Sequence, residues 1–226
     1  MGKATIILIF LTLAAGSGIY LVTNSNRSPS LSDQKEPVAK SFRNYDELKD
    51  GDLIFHISRS SQSKAIQLAT KSKYSHCGIV YKRASRFYVL EAVQPVKQTP
   101  LEAWIARGQG KHYVVKRLKN ADRVLTPAVL KNMKSAGEEL LGKDYDLTFE
   151  WSDDKIYCSE LIWKIYQRAT GLEIGKLEKL GAFDLSNDLV KKKMMERYGA
   201  KIPVDETVIS PAAVFDSELL KTVLSK

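Results

Sequence analysis

The chain has 226 residues, of which 44% are apolar and 27% charged, with a formal net charge of +9 and a pI near 9.4. Those values suit one globular domain with a full-sized core and a small appendage; no repeat or low-complexity block suggests a solenoid or a disordered chain. The positive charge is spread along the sequence, and the one dense run, "VKKKMMERYGAKI", reads as a solvated helix face rather than a nucleic-acid contact. Attraction to an anionic membrane surface or cell-wall polymer stays open.

Residues 4 to 26 carry no charge. Ile6 to Ala15 has the length of a signal-peptide core, and "AAGSG" follows with Ala15 and Ser17 suitably spaced for cleavage. Because "IYLV" comes next, the apolar span is also long enough to cross a bilayer uncleaved. Residues 1–23 are therefore expected to be a signal peptide or a single transmembrane anchor. Either would place the rest of the protein outside the cytoplasm, periplasmic or extracytoplasmic, or held to the membrane. No cysteine follows the run, which rules out a lipid-modified cysteine there. Residues 24–41 are a polar linker broken by Pro29 and Pro37, and residues 42–226 form the expected domain. The segment before residue 42 carries a net +2, leaving about +7 on that domain.

The domain reads strand-rich first and helix-rich later. "DLIFHIS" alternates after the Asp50-Gly51 turn and predicts a strand; "SSQSKAIQLATK" predicts a helix behind serines that could cap it. "HCGIVYK" and "FYVLEAV", separated by "RASR", predict a hairpin. "PLEAWIAR" predicts a short helix and "HYVVKRL" a strand. Thr126 and Pro127 start a helix that ends at Gly142, and the helix carrying Cys158 ends near Gly171. A basic helix over about 186–198 and a "SPAAVF" turn complete an α+β order: a small, mostly antiparallel sheet with helices packed around it.

Three histidines are present, His56, His76 and His112, with no zinc-site spacing, no HExxH and no paired CxxC; no metal and no cofactor is expected. His76 is the candidate base, because its hairpin partner carries a lone acid, Glu91, in an apolar run. An index sum of 167 would set His76 directly opposite Glu91, a sum of 169 would set them diagonally on one face, and 168 would send them to opposite faces. The alternation that turns His76 to one face sends Cys77 to the other. Cys158, Leu161, Ile162, Ile165 and Ala169 form one helical stripe. If that stripe met the His76 face, the thiol would reach the imidazole and could not bond to Cys77. A Cys77–Cys158 disulfide is the competing expectation for an exported chain, and a small core residue is the plain one.

A cysteine in the first turn of a helix feels unpaired N–H groups, and an adjacent imidazolium lowers its pKa further. In that arrangement Cys158 is the nucleophile, His76 the base and Glu91 the residue that orients it. The Cys158 N–H is a natural oxyanion donor, with Tyr157 or Tyr74 as candidates for a second, unless either simply packs.

The segments "GDLIFHISRSSQSKAIQLATKSKYSHCGIV", "YVLEAVQPVKQTPLEAWIARG" and "EWSDDKIYCSELIWKIYQRATG" resemble the YiiX-like branch of permuted, papain-like (NlpC-type) cysteine hydrolases, from about Asp50 to about Phe215. The resemblance implies a circularly permuted papain-like fold, with the His and acid strands ahead of the cysteine helix. It implies His76, Glu91 and Cys158 as base, orienting acid and nucleophile. It further implies an amidase or peptidase acting through a thioester on a peptide, amide or acyl substrate of the cell envelope, such as a cell-wall peptide. A lipid deacylase or acyltransferase of the same fold is the alternative, and a non-catalytic peptide- or amine-binding envelope module is the third reading. No nucleic acid is expected as a partner; the membrane is one only through an uncleaved N-terminus.

Overall fold

The structure is a computed structural model and describes residues 45–226. The expected N-terminal segment, its linker and the domain's first residues lie outside the described residues. The central sheet runs β10-β5-β1-β2-β3-β4 and every pairing in it is antiparallel. Its strands are β1 (Leu53–His56), β2 (His76–Arg83), β3 (Arg86–Glu91), β4 (Lys97–Pro100), β5 (Val114–Leu118) and β10 (Leu220–Ser225). Two short ladders stand apart, β6 (Asp144–Tyr145) with β7 (Lys155–Ile156), and β8 (Glu178–Lys179) with β9 (Thr207–Val208).

Among the described residues seven helices pack around the sheet: α1 (Ser63–Thr70), α2 (Leu101–Arg107), α3 (Ala121–Val124), α4 (Pro127–Leu140), α5 (Cys158–Thr170), α6 (Asp188–Tyr198) and α7 (Pro211–Phe215). Their ends follow the local chemistry. The Thr126 hydroxyl accepts from the Val129 N–H ahead of Pro127, Asn187 accepts from Leu189 and Ser210 from Ala213, while Gly171 closes α5 at φ 72°. The serines before α1 do not cap it: Gln62 holds the cap position, and Ser63 turns inward to bond Ser75 at 2.7 Å.

Strand alternation divides the core. Leu53, Phe55, Cys77, Ile79, Tyr81 and Leu90 face α4 and α5, and Ile54, Val80, Val89 and Val115 face Leu101, Trp104 and Ile105 of α2. Each of the fully buried α5 side chains Leu161, Ile162 and Ile165 contributes about 1.5–3 kcal/mol by leaving water, which anchors the helix on β2. The α5 stripe thus lies on the Cys77 face of the sheet, not on the His76 face. Under α1 a third apolar cluster joins Ala65, Leu180, Val190, Met194 and Val208, so the basic helix α6 is amphipathic: Val190 and Met194 are buried, while Lys191 and Lys192 are exposed.

Candidate active site

The hairpin sets the acid and the imidazole on one face. β2 pairs β3 with Ile79 opposite Leu90 and Arg83 opposite Arg86, an index sum of 169, because the two-residue loop is Ala84-Ser85. His76 is therefore diagonal to Glu91, with Gly78 between them. A Cβ on Gly78 would sit 2.4 Å from Val89 Cγ1 and 3.4 Å from Glu91 Cβ, so a bare backbone is needed for the two strands to close there. His76 Nε2 bonds Glu91 Oε2 at 2.6 Å, leaving Nδ1 for another partner. Glu91 is fully buried and also accepts from Thr99 Oγ1 at 2.5 Å and from Arg107 Nη2. Burial opposes its charge, but the bonds from His76 and Thr99 and the Arg107 guanidinium hold its pKa down to about 2.

Cys158 is the first residue of α5. The "YCSE" segment builds that helix end: Tyr157 N–H donates to Glu160 at 3.3 Å, Ser159 Oγ donates to the Ile209 carbonyl at 2.7 Å, and Glu160 pairs with Lys164 at 2.7 Å. The thiol thereby meets the end of β2, where it interacts with both His76 and Cys77. It reaches both because His76 and Cys77 are the first two residues of the strand, and the helix terminus lies at the end of the sheet rather than over its middle. Both cysteines are free, so the disulfide expectation is not met.

The electrostatics separate the two sulfurs. Cys158 is pulled well below the usual thiol range by hydrogen bonding from the Cys77 thiol, then, against the cost of burial, by His76 and the Cys77 N–H. Cys77 is pushed well above that range, first by burial and then by its interaction with Cys158. Burial pulls His76 down, but Cys158 and Glu91 outweigh it and raise its pKa to about 9. Both shifts favour a thiolate on Cys158 beside an imidazolium on His76. His56, stacked on Trp104 at 3.8 Å between centroids, is held down to about 3 by burial and by the nearby His76, so it stays neutral. His112, the third histidine, lies outside this cluster next to Gly110.

Both candidate tyrosines are buried. Tyr157's hydroxyl accepts from the Ile209 N–H at 3.0 Å, and Tyr74 stacks on Phe215 at 4.1 Å in the core. Tyr145, at the end of β6, lines a pocket together with Cys158, and its hydroxyl accepts from Gln62 Nε2 at 2.9 Å. Neither Tyr145 nor Gln62 had a signal in the sequence; the adjacent carboxylates of "KDYDL" and the serines of "SSQS" are the strongest local features, and neither pattern marks a site. Thr99 and Arg107 were equally hidden, since they come to Glu91 only when β4 and α2 fold back beside β3.

The model of the family described as "Permuted papain-like amidase enzyme, YaeF/YiiX, C92 family" matches residues 47–224. The protein YiiX of Escherichia coli (strain K12) is 52% identical over 173 residues, covering 76% of this chain and 84% of that protein. The crystal structure of metalloprotein YiiX from Escherichia coli O157:H7 superposes with a TM-score of 0.76 at 52% identity, over 80% of this chain and 98% of that one. A histidine–carboxylate hairpin preceding a cysteine-headed helix, together with a family match that spans the described domain, makes this chain a member of the permuted papain-like amidases of the YaeF/YiiX family.

Proposed function

We propose that the protein is an exported cysteine amidase that cleaves an amide of the cell envelope through a thioester, with Cys158 as nucleophile, His76 as general base and acid, and Glu91 as the residue that orients the imidazole. The observation that carries this reading is the 2.6 Å His76–Glu91 bond beside a thiol at the head of α5. The Cys158 thiolate attacks the carbonyl carbon, and the carbonyl oxygen takes the negative charge. The Cys158 N–H, in the first turn of α5 and without an intrahelical partner, and the Tyr145 O–H are the donors available to that oxygen. Collapse breaks the C–N bond as His76 protonates the departing amine. Water, giving its proton to His76, then frees the acid from sulfur.

The solved YiiX relative is described as a metalloprotein. Among the described residues here, no group of three or more His, Cys, Asp and Glu side chains could hold a metal ion, so no step is routed through one. Export rests on the uncharged N-terminal stretch; no helix among the described residues is long and apolar enough to cross a membrane. Lipid deacylation or acyl transfer is a second reading, favoured by the apolar pocket that opens beside Cys158.

Incubating the protein and its Cys158→Ala form with cell-wall peptides and with N-acylated envelope lipids tests the reading. An acyl adduct on Cys158, detected by mass spectrometry and released by hydroxylamine, is the expected result. Binding without any adduct would replace the enzyme with the ligand-binding module. Protease accessibility in intact cells and spheroplasts tests export.

A further inference from the structure

Two recesses flank the reacting groups, and they differ in chemistry. One is walled by Ile66, Ala69, Leu180, Phe183, Val190 and Met194 and reaches Cys158. The other opens on the His76 side and is more polar, with Arg59, Ser60, Ser61, Gln94 and Arg107 among apolar residues such as Val93 and Leu147. Gln62 and Tyr145, joined by a 2.9 Å hydrogen bond, line both. The reaction assigns a side to each half of a substrate. After C–N cleavage the acyl group remains on sulfur, whereas the departing amine must lie within reach of the imidazole that protonates it.

Many of the polar side chains at the apolar recess are already engaged, the Tyr145 O–H beside Cys158 being an exception. Ser159 donates to the Ile209 carbonyl, Ser210 caps α7, Thr70 donates to the Ile66 carbonyl and Tyr157 accepts from Ile209. Lys193 pairs with Glu196 at 2.5 Å, and Arg197 bonds Gln62 and lies over the Phe149 ring. A peptide on this side would bring amide groups and an α-amine to walls that are mostly apolar, and burying them unpaired is costly. An alkyl chain brings none, and each methylene that leaves water there gains about 0.8 kcal/mol, roughly fourfold in rate or affinity.

We propose that the recess between α1 and α6 is the acyl subsite and that the substrate is an N-acyl amide with a straight alkyl chain: the chain runs from the Cys158 thioester along Ala69, Val190 and Met194, and a polar amine departs through the cleft beside His76. This rests on the Cys158 hydrolase reading and names its substrate class. It gives the basic helix α6 a further role, since its one apolar seam forms the wall of the recess.

The experiment measures acylation of Cys158 by p-nitrophenyl acetate, butyrate, hexanoate and octanoate, followed by p-nitrophenol release and by the mass of the adduct. The rate constant should rise about fifteenfold from acetate to butyrate and further to hexanoate. Ala69→Phe, which fills the recess, and Leu185→Asp, which charges its rim, should each flatten that dependence and cut the octanoyl-to-acetyl ratio at least tenfold. Acylation by every ester at one rate, or a chain-length dependence that both variants leave intact, would overturn the acyl subsite while the cysteine hydrolase stands. Failure of all four esters to acylate Cys158 would overturn the hydrolase and the subsite together. Faster acylation by esters of short peptides than by octanoate would replace the alkyl chain with a peptide.

Discussion

Cys77 and Cys158 meet where the start of β2 faces the head of α5, and they remain separate thiols with opposite tendencies. Burial keeps Cys77 protonated, so it can donate to the Cys158 sulfur and help keep that sulfur ionised. The proposed nucleophile, Cys158, is thus supported by His76 from one face of the sheet and by Cys77 from the other.

Selective alkylation follows from that support. An unperturbed thiol with a pKa of about 8.5 is ionised to only about 0.3% at pH 6. Cys158, held well below that range, should still react with iodoacetamide at about pH 6, while Cys77 should stay inert until the protein unfolds. Cys77→Ala and His76→Ala should each slow the reaction about tenfold or more near pH 6 and much less near pH 9.5. Peptide mapping after timed labelling checks this; equal labelling of both cysteines in the folded protein would refute the ionised nucleophile. Amide turnover should have a basic limb near 9, where the His76 imidazolium loses its proton and can no longer serve the leaving group.

Stability should respond to acid through Glu91. Its carboxyl holds a proton less tightly folded than unfolded, so its contribution is complete above the ordinary carboxylate pKa and is lost as pH falls through about 2. The shift from 4.5 to about 2 in a fully buried group corresponds to a few kcal/mol, as an order of magnitude. Urea unfolding of wild type should therefore weaken between pH 4.5 and 2.5, and Glu91→Gln should lose that segment of the slope. The same variant should reduce turnover by about 10²-fold or more, because a neutral amide holds the imidazolium less well. An unchanged acid limb in Glu91→Gln would mean that the buried carboxylate is not the group that titrates.

Gly78 makes the diagonal possible, and Gly78→Ala should show it. The added methyl would lie 2.4 Å from Val89 Cγ1 and 2.8 Å from the Leu90 carbonyl oxygen, so β2 and β3 must separate. A cost of about 1–3 kcal/mol is expected from the overpacking. Turnover should fall further than stability explains, since the same displacement lengthens the His76–Glu91 bond. Denaturant midpoints paired with kcat would separate the two effects; a stable, fully active Gly78→Ala would show that the hairpin tolerates the shift.

Much of this was legible in the sequence because it is written in short-range patterns. The helix of Cys158 follows from its apolar stripe and from Gly171, and the shared face of His76 and Glu91 follows from strand alternation once the register is known. The register itself was not legible. "RASR" admits a loop at Arg83-Ala84 or at Ala84-Ser85, and the choice depends on Ala84 accepting a φ of 51°. Nor could the stripe on α5 announce which sheet face it covers, because apolar residues occupy both faces of β2. The last strand, β10, has a mixed pattern of exposed lysine and half-buried valine and leucine, the mark of an edge strand, which alternation alone does not reveal. Tyr145, at the end of β6, and Gln62, at the cap of α1, are 83 positions apart, and no local spacing encodes such a pairing.

Tyr145 provides the remaining prediction. Its hydroxyl accepts from Gln62 and so keeps its own proton free to donate; burial first, and the nearby Cys158 charge next, raise its pKa far above the phenol range, so it stays protonated at any working pH. A protonated phenol on the wall beside the thiolate suits the oxygen that becomes negative in the tetrahedral intermediate. Tyr145→Phe keeps the ring and removes only that donor. Turnover should fall about 10²-fold with KM little changed, because the lost bond strengthens only as charge develops. Iodoacetamide labelling of Cys158, which forms no oxyanion, should proceed at nearly the wild-type rate in the same variant. A parallel loss of labelling would mean that Tyr145 acts on the thiolate rather than on the carbonyl oxygen, and unchanged turnover would leave the Cys158 N–H to hold that oxygen without it.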